Sequence, residues 1–258
     1  MENGSANAPP GPLVTLSMLG VCSLSSEKKV VGNVPSNFYR IASYLLLAGD
    51  TPIAPRQRIS GLLWPEAQSE SANANLRQSL VRIRRLQANC GFKLVEMNFS
   101  LVFLVPDRVD WDLRNFLAAS DTYDEASLAT LCSTYGGDLL ADISASSAEF
   151  EDWMQEQRSR LRGQLMAQLA RALDDNKIST ELRTNCARKM LTVDPCNERA
   201  FQVLMEEAAG NGDLLRVQQL YERCERQLLN EFGVRSSSDT RQLYMRLSHG
   251  GQHSPLRS

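Results

Sequence analysis

Residues 56–87 read RQRISGLLWPEAQSESANANLRQSLVRIRRLQ. A short apolar-periodic segment with Ile59, Leu62, Leu63 and Trp64 stops at Pro65, and a second periodic run covers about residues 69–88. Proline ends a helix because it lacks an amide proton and clashes with the preceding turn. The stretch therefore predicts a short helix, a turn and a long helix. Downstream, FKLVEM (92–97) and LVFLV (101–105) are rich in strand-forming residues and meet at Asn98-Phe99-Ser100, the pattern of a hairpin. Helix, turn, helix and two strands is the order of a winged helix-turn-helix, which lays its second helix in a DNA major groove.

At 100° per residue, Ala72, Leu76, Leu80 and Ile83 share one face of the 69–88 helix and are expected to bury against the preceding helices. Ser71, Asn75, Gln78, Arg82 and Arg85 lie opposite, with Arg77 and Arg84 on one flank. Arg, Gln and Asn are the side chains able to contact guanine or adenine edges in a bidentate way. Such a face alone also suits a solvated basic helix; the preceding helix, the turn and the following strands favour a reader of DNA. Arg77, Gln78, Arg82 and Arg85 are the best candidates for base or phosphate contact, and Arg84, nearer the core boundary, for phosphate. In the wing, Lys93 and Ser100 are the polar groups placed to touch phosphate, so most contact is expected from the helix.

Upstream, LVTLSMLGVCSL suggests an opening hairpin around Gly20, and NFYRIASYLLLAGD sets Phe38, Ile41, Ala42, Leu45 and Leu46 at helical spacing. Trp64 reads as a core aromatic wedged between helices. Residues 1–105 hold 10 Lys+Arg against 6 Asp+Glu, and residues 106–258 hold 18 against 24, for net charges of +4 and −6. An electropositive first part and an acidic second part fit a DNA-binding module joined to one with another task.

The same reading excludes other classes. Cys22, Cys90, Cys132, Cys186, Cys196 and Cys224 are scattered without a CxxC pair, so no metal site is expected, and buried reduced thiols are the plain reading. Both histidines, His249 and His253, lie in the last ten residues, far from any partner for acid–base work. No GxxxxGK[ST] or GxGxxG loop occurs, and no cofactor is expected. The carboxylates Glu149-Glu151-Asp152 and Glu206-Glu207 read as solvated faces. No apolar run approaches about 18 residues, and the first twelve residues lack a basic n-region or apolar stretch, so a cytoplasmic protein without a membrane span is expected.

In the second half, Leu161, Leu165, Leu169 and Leu173 recur every four residues; Phe201, Leu204, Met205 and Ala208 repeat the pattern, as do Leu214, Val217, Tyr221, Cys224 and Leu228. Asp194-Pro195 and Asn211-Gly212-Asp213 break the helices, and Gly233 sits where a C-terminal cap belongs. Successive helices with short turns, each burying a face on the next, describe a TPR-like stack.

Leu63, Trp64, Asn75, Leu76, Arg77, Leu80, Ile83, Arg84, Arg85 and Leu86 follow an "LW…NLR…L…IRRL" pattern that resembles the DNA-binding domain of OmpR-type regulators. Val109, Asp110, Leu113 and Phe116, which resemble the link that leads from this domain into a second one, the YGGDLLAD turn, Trp153, Arg158, Arg160 and Leu161, and the closing run from Asp194 to Tyr244 extend this. Over about residues 13–247 the chain resembles the SARP (antibiotic regulatory protein) family, in which a winged helix precedes a bacterial transcriptional activation domain. It departs at Asn98-Phe99-Ser100, where the family's wing has Gly-Tyr, at Gln157, where an acidic residue is usual, and at Ser236 and Ser238, where prolines are common.

The expected architecture is therefore mainly α: a leader (1–12), a winged helix-turn-helix with small β-sheets (13–106), an all-α TPR-like activation domain (107–247) and a flexible tail (248–258). The expected function is a sequence-specific transcriptional activator, not an enzyme. The resemblance implies partners: promoter repeats in double-stranded DNA, RNA polymerase, and a second copy as a homodimer on DNA. The alternative is a helical protein-interaction scaffold whose winged helix docks a protein rather than DNA.

Overall fold

The computed structural model describes residues 14–27 and 29–249. The expected leader and the expected tail beyond His249 lie outside them. In chain order the elements are β1 (Val14–Ser17), β2 (Ser23–Ser26), β3 (Lys29–Val30), α1 (Ser36–Leu47), β4 (Ile53–Pro55), α2 (Arg56–Leu63) and α3 (Ser69–Cys90). There follow β5 (Lys93–Met97), β6 (Leu101–Asp107), β7 (Val109–Trp111), α4 (Asp112–Ser120) and α5 (Glu125–Thr134). The chain closes with α6 (Ala148–Asp174), α7 (Thr180–Val193), α8 (Glu198–Gly210), α9 (Leu214–Phe232) and α10 (Ser238–His249). The mainly helical class and the small N-terminal sheets agree with the sequence reading. The residues divide into two compact units, Met1–Ala118 with Thr134–Leu161, and Ala119–Ser133 with Arg162–Ser258.

The first unit contains the winged helix. Proline precedes both α1 and α2, its fixed φ near −60° preparing the chain for the first turn. The buried stripe of α3 (Ala72, Leu76, Leu80, Ile83) packs with Phe38, Ile41, Ala42 and Leu45 of α1 and with Ile59 and Leu63 of α2. Each large side chain so buried contributes roughly 1.5–3 kcal/mol relative to exposure. Gly91, at φ 70°, ends α3 in the left-handed region that only glycine enters without strain. Beyond it β5 and β6 form the expected wing hairpin, and β4 pairs with the outer side of β6 to give the order β4-β6-β5.

A buried side chain locks this hairpin to the helix. Gln87 is 3% exposed; its Oε1 accepts from the amides of Leu94 (3.0 Å) and Val95 (2.8 Å), while its Nε2 donates to the Val95 carbonyl (3.0 Å). Three of its four hydrogen-bonding positions thus go to the backbone of β5.

The opening hairpin around Gly20 is present, with β1 and β2 antiparallel. The segment read as a link after the wing instead contributes β7, which pairs parallel with β1 and completes a sheet of order β3-β2-β1-β7. Asp112, just past β7, accepts from the amides of Met18, Leu19 and Leu113. The Tyr135-Gly136-Gly137 turn packs against the same corner. A Cβ on Gly136 would stand 2.7 Å from the Leu19 carbonyl oxygen, so the approach requires glycine there. Arg158 then donates to the carbonyls of Leu139 and Leu140.

Trp64 departs from its expected place. It is half-buried rather than core, because α2 has ended and its own backbone (φ −141°, ψ 61°) has left the helical region.

The second unit is a stack in which α8 packs on α7 and α9, and α10 on α8 and α9. Leu165, Leu169 and Leu173, then Phe201, Leu204, Met205 and Ala208, and then Val217, Cys224 and Leu228 are buried. Leu214 and Tyr221, read as part of the last stripe, are not: Leu214 opens α9 on the surface and Tyr221 is half-buried, stacked on Tyr244. The breaks carry their own caps. Asn197 accepts from the Ala200 amide, Asp213 accepts from the Arg216 amide, and Gly233 ends α9 at φ 68°. α10 extends through His249.

Candidate nucleic-acid interface

α3 meets the surface along the side away from its buried stripe. Ser71, Arg77, Gln78, Arg82, Arg84 and Arg85 are exposed and Asn75 is half-exposed. From Ser71 to Arg85 the face runs roughly 20 Å at 1.5 Å per residue, enough to follow a major groove for several base pairs. Among the described residues, Arg77, Arg82, Arg84 and Arg85 have no acidic side chain within ion-pair distance. Four guanidinium groups therefore keep their donors free within nine residues of one helix. Val81 stands among them, 43% exposed, an apolar group of the kind that meets a thymine methyl.

Beside this face lies a groove of about 550 Å³ formed by the start of α2, the first half of α3 and the tip of the wing. Arg56, Gln57, Asn73 and Arg77 line it, with Ser100 and Phe99 at the wing end. The tip is held in place. Asn98 Oδ1 accepts from the amides of Ser100 (3.0 Å) and Leu101 (2.8 Å), and the Arg56 amide donates to the Ser100 carbonyl (2.9 Å). Phe99 projects from it, 99% exposed. The N-terminus of α2 has no side-chain cap, and beyond the Arg56 amide its first turn adds positive potential to the same groove.

The structure thus joins Arg77 and Ser100 across one groove and keeps Ser71, Asn75, Gln78, Arg82 and Arg85 together along α3. It does not bring Lys93 to them at the tip. Lys93 is exposed at the base of the hairpin, opposite Asp107 in the register, about four residues of strand from the turn. Sequence reasoning missed Arg56, Gln57, Asn73, Val81 and Phe99. Periodicity could have found Val81, an apolar residue on a polar face, whereas the others meet the groove only through the fold.

Among the described residues no three His, Cys, Asp or Glu side chains are grouped to hold a metal ion. No described helix is long and apolar enough to cross a membrane.

Comparison with known proteins agrees with this architecture. Residues 115–248 match the family described as bacterial transcriptional activator domain. Among solved structures, the chain is similar to that of Mycobacterium tuberculosis EmbR in complex with a low affinity phosphopeptide. The TM-score is 0.55 at 14% identity, over 95% of this chain and 67% of that chain, a likeness of fold. No curated protein sequence matches.

Proposed function

The chain belongs to the bacterial transcriptional activator domain family and has the build of a SARP-type regulator, and we propose that it activates transcription by reading promoter DNA with α3. The observation that carries this reading is the row of free guanidinium groups on α3 beside a groove closed by the wing. Arg82, Arg85 and Gln78 face base edges in the major groove. Arg77, with Arg56 and the start of α2 across the groove, binds the phosphate backbone, as does Arg84. Ser71, Asn75 and Ser100 add neutral hydrogen bonds, and Lys93 a further phosphate contact at the base of the wing. Two copies occupy neighbouring promoter repeats, and the helical unit touches RNA polymerase. The phosphopeptide belongs to the EmbR structure and has no part in this proposal.

The test is selection of genomic fragments by the purified full chain at two salt concentrations. A repeated motif should be enriched and should fade with salt, because each phosphate contact releases counterions and adds about −0.9 to the log–log slope. Arg82→Ala and Arg85→Ala should each weaken specific binding by about 10- to 100-fold, the equivalent of roughly 1–3 kcal/mol, with unfolding stability unchanged within about 0.5 kcal/mol. Normal binding by both variants in a gel shift overturns the role of α3. No enrichment by folded protein transfers the winged helix to protein docking.

A further inference from the structure

In the helical unit, α5 and α7 hold two thiols face to face: Cys132 Sγ lies 3.8 Å from Cys186 Sγ. We propose that Cys132 and Cys186 form an oxidisable pair, which a peroxide converts into a disulfide linking α5 to α7. Bonded sulfurs lie about 2.05 Å apart, so closure asks for a shift of roughly 1.8 Å shared by two side chains. The two positions divide the work. Cys132 is partly exposed and can meet the oxidant; Cys186 is fully buried and can resolve the product.

The local electrostatics favour the same order. The contact with Cys186 and the charge of Lys189 draw the Cys132 thiol below its ordinary value against the effect of burial, while the same contact and burial hold Cys186 above it. Burial pushes Cys22, Cys196 and Cys224 upward, the last to about 12. The thiolate is the nucleophile in peroxide attack, so reaction concentrates at Cys132.

In the first step the Cys132 thiolate attacks a peroxide oxygen. An S–O bond forms, the O–O bond breaks, and the leaving hydroxide takes a proton to become water. In the second, the Cys186 sulfur attacks the Cys132 sulfenic acid. The S–S bond forms, the S–O bond breaks, and the departing hydroxide leaves as water with the Cys186 proton. Two thiols have lost two electrons and hydrogen peroxide has become two waters. The residues are 54 apart in sequence. Closing a loop of that length restricts the unfolded chain and should raise the melting temperature of the helical unit by roughly 5–10 °C.

This proposal is independent of DNA reading and is tested on the full chain. Reduced protein is treated with hydrogen peroxide, quenched by alkylation and digested without reductant. The expected result is a peptide joining Cys132 to Cys186, reversed by dithiothreitol, together with the rise in melting temperature. Cys186→Ala should lose the link and accumulate a sulfenic acid at Cys132 that dimedone traps. Full alkylation of both thiols after peroxide, with the protein folded by circular dichroism, overturns the proposal, as does a link to another cysteine. The wild-type measurement stands even where Cys186→Ala does not fold.

Discussion

In the α8–α10 part of the molecule, several charged side chains are spent on the protein itself. Arg199 donates to Asp174 at 2.8 Å and to the Leu173 carbonyl at 3.2 Å. Glu198 accepts from the amide and hydroxyl of Ser237, both at 2.8 Å, and Glu225 accepts from the amide and hydroxyl of Ser236. On α3 the opposite holds. The polar groups that serve the fold are neutral, Gln87, Ser79 and Asn73, while the arginines on the other side make no ion pair among the described residues. A charge that the fold has already used is structural; a row of charges left unused on a helix is available to a partner.

The comparison breaks most readily at the buried face of α3. Leu76→Ala should cost about 2–5 kcal/mol, since the site is closed on all sides and leaves a cavity. Urea unfolding of the full chain checks it, and a cost below that of Arg82→Ala would mean the two faces have been exchanged. Next comes Gln87→Leu, which strands the buried amides of Leu94 and Val95 and should cost roughly 2–4 kcal/mol. The same variant should weaken DNA binding although Gln87 itself touches no DNA, because the wing loses its anchor. Unchanged binding would show that the wing tip is held by Arg56 and Asn98 alone.

The smallest effect sharpens the other side. Burial pushes the Glu225 carboxyl up, but the hydrogen bonds from Ser236 outweigh it and hold the group below the ordinary glutamate value. A carboxylate with a depressed folded value stabilises the protein at higher pH. That contribution is lost as the pH falls from about 4.3, the unfolded value, through the folded one. Stability measured from pH 6 to pH 3 should therefore decline less steeply in Glu225→Gln than in the wild type, and parallel curves would remove Glu225 from the α9–α10 junction.

Much of the winged helix was legible because its signals are local. Pro65 separates α2 from α3, and the period of Ala72, Leu76, Leu80 and Ile83 names the buried face before any coordinate does. Asp213 and Gly233 mark α9 in the same way. What escaped depends on residues distant in sequence. β7 reads as a link until it is paired with β1, about 95 residues earlier. Gly136 is an ordinary turn residue until Leu19 is placed against it. Arg56, Asn73 and Phe99 become neighbours only when α2, α3 and the wing converge, and Trp64 looked like core because composition does not reveal where a helix stops. The same distance dependence hid the thiol pair, since neither cysteine lies near the other in sequence.

The parallel pairing of β1 with β7 has a consequence for synthesis. The first strand leaves the ribosome early and waits for its neighbour until residue 111, and the compact unit that holds α3 closes only with Leu161. At about 5–20 residues per second, the roughly 55 residues beyond 106 take some 3–11 seconds to appear. A nascent chain that stalls in this interval presents the arginines of α3 on a unit that has not yet closed.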